Sequence, residues 1–75
     1  MNNNNEETRK ERFRRVATRR TNEILNRIRI LGNCSNKSAY VYTEEDVQKI
    51  FAAIEKELRG TRSRFAKIKK NNFKL

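Results

Sequence analysis

The stretch 43-TEEDVQKIFAAIEKEL-58 sets the fold class of this chain. Its apolar residues recur at intervals of three, four and seven positions, which places them on one face of an α-helix. These residues are Val47, Ile50, Phe51, Ile54 and Leu58. Thr43 and Asp46 have the spacing of a capping box, and the three acids at the start favour the positive end of a helix dipole. The stretch therefore predicts an amphipathic helix that begins at about residue 43.

Beyond Leu58 the helical pattern continues. Phe65 and Ile68 keep the same phase, and the residues around them are good helix formers. Gly60 lies between, but a single glycine costs only about 1 kcal/mol in a helix interior. We therefore predict one helix over about 43–70, followed by a basic tail over 71–75.

The amino-terminal part predicts a second amphipathic helix. Residues 1–5 read as a disordered polar tail, and good helix formers without proline follow from about residue 6. One face of the predicted helix 6–31 carries Phe13, Val16, Ala17, Ile24, Ile28 and Leu31. Gly32 comes next, where many helices end with a residue in the left-handed conformation. We therefore expect this glycine to end the first helix in that way.

The loop 32–42 lies between the two predicted helices and contains turn-forming Asn and Ser residues. Two long amphipathic helices joined by a loop of this length predict an all-α fold, an antiparallel helical hairpin in one domain over 6–70. Tyr40 and Tyr42 alternate along the loop and are expected to pack on the apolar seam near Leu31 and Val47. The alternative is that the two rings stack on nucleic-acid bases.

The apolar core of such a hairpin is small, because two helical faces enclose little on their own. A second copy can complete the core as a homodimer in a four-helix bundle. The tyrosines of the loop, or a helix from a partner protein, are the other ways to cover it.

Charge is the strongest global property of the sequence, with 19 Lys and Arg against 9 acids and a net charge of +10. Residues 1–31 hold nine bases and four acids, residues 32–60 four bases and five acids, and residues 61–75 six bases and no acid. An antiparallel hairpin brings the two basic segments together at one end, the basic pole. This excess favours a polyanionic partner, most often nucleic acid.

Within the basic pole we expect the phosphate-binding residues to be Arg and Lys side chains from both helices. Arg12, Arg15 and Arg19 are spaced i, i+3 and i+7, a stripe that can follow a phosphate backbone, and the Arg fork suits phosphate. The full set is Arg12, Arg15, Arg19, Arg59, Arg62, Arg64, Lys67, Lys69 and Lys70. The alternative is a solvated surface whose bases pair with nearby acids, namely Glu6, Glu7, Glu11 and Glu23.

The sequence carries no pattern of catalysis. One cysteine, no histidine and two glycines leave no metal-ligand cluster, no phosphate-binding glycine loop and no base to activate Cys34 as a nucleophile. No apolar run reaches the ~18 residues of a membrane span, and the amino terminus lacks the apolar centre of a signal peptide. We therefore expect a cytoplasmic non-enzyme without cofactor, metal or membrane contact.

The segment 31-LGNCSNKSAYVYTEEDVQKIFAAIEKEL-58 resembles a pattern of small uncharacterised basic proteins from bacterial mobile genetic elements, chiefly of Firmicutes. The shared features are Leu-Gly-Asn, a Ser-Asn turn, two tyrosines one residue apart and an acidic helix start leading to Lys-Ile-Phe. The resemblance implies an accessory role on such an element, and it brings no activity and no site residue with it.

The leading hypothesis is a small protein that binds DNA or RNA mainly at phosphates, because nothing resembles a helix-turn-helix with its short turn. The alternative is a protein-interaction module or inhibitor that docks its basic surface on an acidic protein. A third reading, an amphipathic helix on anionic lipid, is weaker because the apolar faces suit an intramolecular seam.

Overall fold

The computed structural model describes residues 6–70, of which residues 67–70 are described in their backbone alone. The described chain is all-α and consists of helix α1 (Arg9–Gly32), a short 3-10 helix (Asn33–Ser35) and helix α2 (Glu44–Lys70). The predicted helical class is therefore confirmed. The tails predicted over 1–5 and 71–75 lie outside the described residues.

Helix α1 begins three residues later than its composition predicts, because a capping box defines its first turn. Thr8 is the N-cap, and its Oγ1 accepts a hydrogen bond from the Glu11 backbone N–H at 3.0 Å. The Glu11 Oε1 in turn accepts from the Thr8 backbone N–H at 2.9 Å. Two N–H groups that the helix itself leaves unpaired are satisfied in this way. Thr8 and Glu11 carry the spacing of this motif, so the sequence holds the signal for the true start.

The end of α1 corrects the expectation for Gly32. Its backbone has φ −58° and ψ −25°, and no described residue has a positive φ. The chain instead continues into the 3-10 helix, and the Asn33 N–H donates to the carbonyls of Ile30 and Leu31. Because that tighter turn reaches the last carbonyls of α1, a left-handed residue is not needed there.

The loop between the helices turns at Asn36. The Asn36 Oδ1 accepts from the Ser38 N–H at 3.0 Å, and the Asn36 carbonyl accepts from the N–H groups of Ala39 and Tyr40. The predicted use of an Asn side chain as a turn former is confirmed. Tyr40 is half exposed and Val41 is fully exposed, whereas Tyr42 has intermediate exposure.

Helix α2 confirms the prediction from residues 43–58. The Thr43 N–H donates to Asp46 Oδ2 at 2.9 Å, and the Asp46 N–H donates to Thr43 Oγ1 at 3.0 Å, which completes a second capping box. The helix then runs without interruption through Gly60 to Lys70. Around Gly60 an added Cβ would meet no heavy atom within 4 Å, so this glycine is not required by close packing.

The chain divides into two compact units, one that ends at Tyr40 and one that begins at Val41. None of the described side chains is buried, and the apolar residues of both helices retain exposures of about 40% or more, except for a few of intermediate exposure. The intermediate ones include Val16, Ala17 and Leu31 on α1, and Val47 and Ile54 on α2.

Candidate nucleic-acid interface

A cluster of three charged side chains lies at the start of α1. Glu7 precedes the N-cap, and its carboxylate accepts two hydrogen bonds from Arg15, one from Nε at 2.7 Å and one from Nη2 at 3.1 Å. The Nε of Arg12 lies 4.0 Å from Glu7 Oε1. One carboxylate thus holds two of the three arginines that were predicted to bind phosphate.

Helix geometry explains how residues eight positions apart can meet. Side chains on an α-helix lean toward its amino terminus, so Arg12 and Arg15 both reach back toward the residues before the N-cap. Arg12 and Arg15 are also one turn apart on the same face. The Arg15 side chain is long enough to reach from its own turn of the helix to the carboxylate of Glu7.

The Glu7–Arg15 pair changes the acidity of both groups. The hydrogen bonds from Arg15 are the largest cause and, with the positive charges of Arg15 and Arg12, they hold the pKa of Glu7 below its ordinary value, although desolvation opposes the shift. The hydrogen bond to Glu7, helped by the charge of its carboxylate, raises the pKa of Arg15. The carboxylate is therefore ionised, and the guanidinium charged, across the neutral range.

The third residue of the stripe, Arg19, is exposed and follows Arg15 by one turn on the same helix face. Among the described residues no acid lies within ion-pair distance of Arg19. The charge of Arg19 therefore faces solvent. It lies on the same helix face as Arg12 and Arg15, which contact Glu7.

The alternative of local charge pairing holds for Glu7 and for no other described acid before the loop. The carboxylate of Glu11 accepts from the backbone of Thr8 in the capping box. Glu6 and Glu23 are exposed, and no ion pair joins either of them to another described side chain. Most of the arginine charge on α1 is thus not neutralised within the described structure.

The basic residues predicted on α2 do not form one stripe. Arg59, Arg62 and Arg64 are all exposed. At 3.6 residues per turn, their positions spread over roughly 200° of the helix circumference. Lys67, Lys69 and Lys70 lie in the last turns of α2, and their side chains are outside the described part. The acidic start of the same helix carries an ion pair between Lys49 and Glu45 at 3.6 Å, with both side chains exposed.

Cys34 is a free, exposed cysteine in the 3-10 helix, and no group of three His, Cys, Asp or Glu side chains among the described residues is placed to hold a metal ion. No described helix combines the length and apolar content that crossing a membrane requires.

The comparisons with known proteins bring no relative. No protein-family model, no curated protein and no solved structure matches the chain.

Proposed function

We propose that this protein binds DNA or RNA at the phosphate backbone, with the Arg12, Arg15 and Arg19 stripe of α1 as the primary contact. The supporting observation is that Arg15 donates two hydrogen bonds to the Glu7 carboxylate, in a bidentate ion pair. A guanidinium binds phosphate oxygens in the same fork geometry, so these arginines are oriented for an anion. Arg19 extends the row by one turn.

The net charge of the chain supports the same proposal. A surplus of ten positive charges on 75 residues is unfavourable through self-repulsion, and a polyanion relieves it. Since phosphate contacts carry no sequence information, we expect similar affinity for unrelated sequences.

The basic residues of α2 would contribute to the same binding surface if the two helices pack together. We propose that α1 and α2 close as an antiparallel hairpin, which would place Arg59, Arg62, Arg64, Lys67, Lys69 and Lys70 beside the start of α1 as one basic pole. Two hairpins would combine as a homodimer and double the basic surface. We place the protein in the cytoplasm, without catalytic activity, in an accessory role on a mobile genetic element.

The test is a fluorescence-anisotropy titration of labelled duplex DNA and single-stranded RNA at increasing salt. Contact with about six phosphates predicts a log–log salt slope near −5. Changing Arg12, Arg15 and Arg19 together to alanine should weaken binding and flatten the slope by about 3. The matched control changes Arg27, Arg29 and Lys56 to alanine, which removes the same net charge away from the stripe.

The control decides between a specific surface and net charge alone. If both triple variants lose affinity equally, the stripe is not the binding surface. If neither ligand saturates at low salt, the nucleic-acid proposal is wrong, and the alternative of an acidic protein partner is tested by pulldown with the same two variants.

A further inference from the structure

The exposed face of α2 has a seven-residue repeat along the helix axis. Phe51, Leu58 and Phe65 are seven residues apart, and Val47, Ile54 and Thr61 form a second series with the same spacing. The two series alternate in steps of four and three, which is the seam of a coiled coil. Because α2 continues through Gly60, the two series lie on one uninterrupted helix.

Several seam residues are open to solvent. The exposed fraction is 47% for Phe51, 55% for Leu58 and 41% for the flanking Ile50. Large apolar side chains in a row at this exposure are typical of an interaction surface.

The charged residues beside the seam indicate which charges a partner helix must carry. One edge carries Glu55 and, seven residues later, Arg62, and the other edge carries Glu57 and, seven residues later, Arg64. All four side chains are exposed, and none of them has an ion pair within the described chain. Each edge therefore offers an acid followed by a base.

We propose that a second copy of this chain covers the seam, with its α2 antiparallel to the first. In an antiparallel pair, each edge of one helix lies along the same edge of the other. Placing Leu58 opposite Thr61 of the second copy brings Glu55 to Arg62 on one edge and Glu57 to Arg64 on the other. The twofold axis repeats both pairs, so four complementary pairs flank the seam.

A parallel pair would also bring Glu57 of one copy toward Arg62 of the other, but it is opposed by the charges at the two ends of α2. It would set Glu44, Glu45 and Asp46 beside the same three acids and the basic ends beside each other. Like charges at such positions are destabilising, whereas the antiparallel register places acids of one copy along bases of the other. The charges at the ends of α2 thus favour the antiparallel direction.

This inference goes beyond phosphate binding and does not depend on it. The seam is the face of α2 that the proposed hairpin would turn toward α1, so the pair of α2 helices is the alternative to that closed hairpin, and the association experiment decides between them. The test of the inference reads association between protein chains, so a failure of nucleic-acid binding leaves it in place.

The experiment is a charge exchange in the full chain, with sedimentation equilibrium on nuclease-treated protein. The variant Glu55→Arg/Glu57→Arg and the variant Arg62→Glu/Arg64→Glu should each self-associate at least about tenfold more weakly than the unaltered protein. An equimolar mixture should form a heterodimer of restored affinity. The control Lys49→Glu/Lys56→Glu has the same net charge as the second variant, with both changes off the seam, and should associate normally.

Direction is tested by a single cysteine. In a Cys34→Ser background, Val47→Cys would lie beside its copy in a parallel pair and form a disulfide under oxidation. In the antiparallel register the two positions are about 37 Å apart along the axis, so no disulfide should form within the dimer.

Each outcome bears on the proposal. A mixture that associates no better than its components, or an unaltered protein that is monomeric throughout, would overturn it. Efficient cross-linking through Val47→Cys would overturn the antiparallel direction. If a charge-exchange variant loses helix content on its own, recovery of circular dichroism on mixing supports the proposal, and no recovery overturns it.

Discussion

Arg15 donates two hydrogen bonds to the carboxylate of Glu7, at 2.7 and 3.1 Å, although eight residues separate the two along the chain. The same carboxylate lies 4.0 Å from Arg12. The Glu7 carboxylate thus contacts the guanidinium groups that the proposed function assigns to phosphate. Nucleic-acid binding must therefore replace this carboxylate by a phosphate group.

Replacing Glu7 by glutamine should therefore strengthen nucleic-acid binding, because the neutral amide competes less well for Arg15. We expect a gain of roughly twofold to fivefold at low salt, as befits an exposed ion pair. Anisotropy titration measures it. The control Glu6→Gln makes the same change in net charge one residue away, and an equal gain there would show that charge alone is responsible.

The Glu7–Arg15 pair should depend on pH in a defined direction. Because the pKa of Glu7 in the folded chain lies below its ordinary value of 4.5, its contribution to stability is fully present above that value. It is lost as the pH falls through the lowered pKa. A titration of the Glu7 carboxyl resonance by NMR should show a midpoint below that ordinary value.

The variant Arg15→Gln serves as the matched test of cause. Without the guanidinium, the Glu7 midpoint should move up toward the ordinary range. A midpoint that does not move would mean that Arg15 is not the source of the shift.

The capping box at the start of α2 should be measurable as helix stability. Thr43→Ala removes the hydroxyl that accepts from the Asp46 N–H, and losses at N-caps are typically about 1 kcal/mol. Thermal unfolding followed by circular dichroism measures the change. Thr43→Ser keeps the acceptor oxygen, and it should retain most of the stability; if it behaves as alanine does, the hydrogen bond is not the cause.

The two glycines should both accept alanine. Gly60 lies inside α2 with open space around it, so Gly60→Ala should stabilise the helix by about 1 kcal/mol. Gly32 has a right-handed backbone, so Gly32→Ala should cost nothing there. A left-handed Gly32 would instead make alanine unfavourable by about 1–2 kcal/mol. Thermal unfolding of each variant distinguishes these outcomes.

Local patterns in the sequence predicted the two long helices, although not the exact start of α1 or the 3-10 turn that follows it. The spacing of Val47, Ile50 and Leu58 predicts α2, and the pairing of Thr43 with Asp46 predicts its start, because both depend on groups within one or two helical turns. The continuation through Gly60 follows from propensity, since one glycine costs less than the surrounding residues contribute. The exposed row of Arg12, Arg15 and Arg19 likewise follows from their helical spacing.

Only the three-dimensional structure showed which charged side chains form ion pairs. The contact from Glu7 to Arg15 spans eight residues, outside the i+3 and i+4 spacings that a helix pattern reveals, and it depends on where the chain enters α1. The right-handed Gly32 likewise follows from the 3-10 turn beyond it, which satisfies the last carbonyls by another route. Sequence determined the helices and their surfaces because those arise from local repeats, and the structure decided the anion contact and the helix end because those depend on the path of the chain.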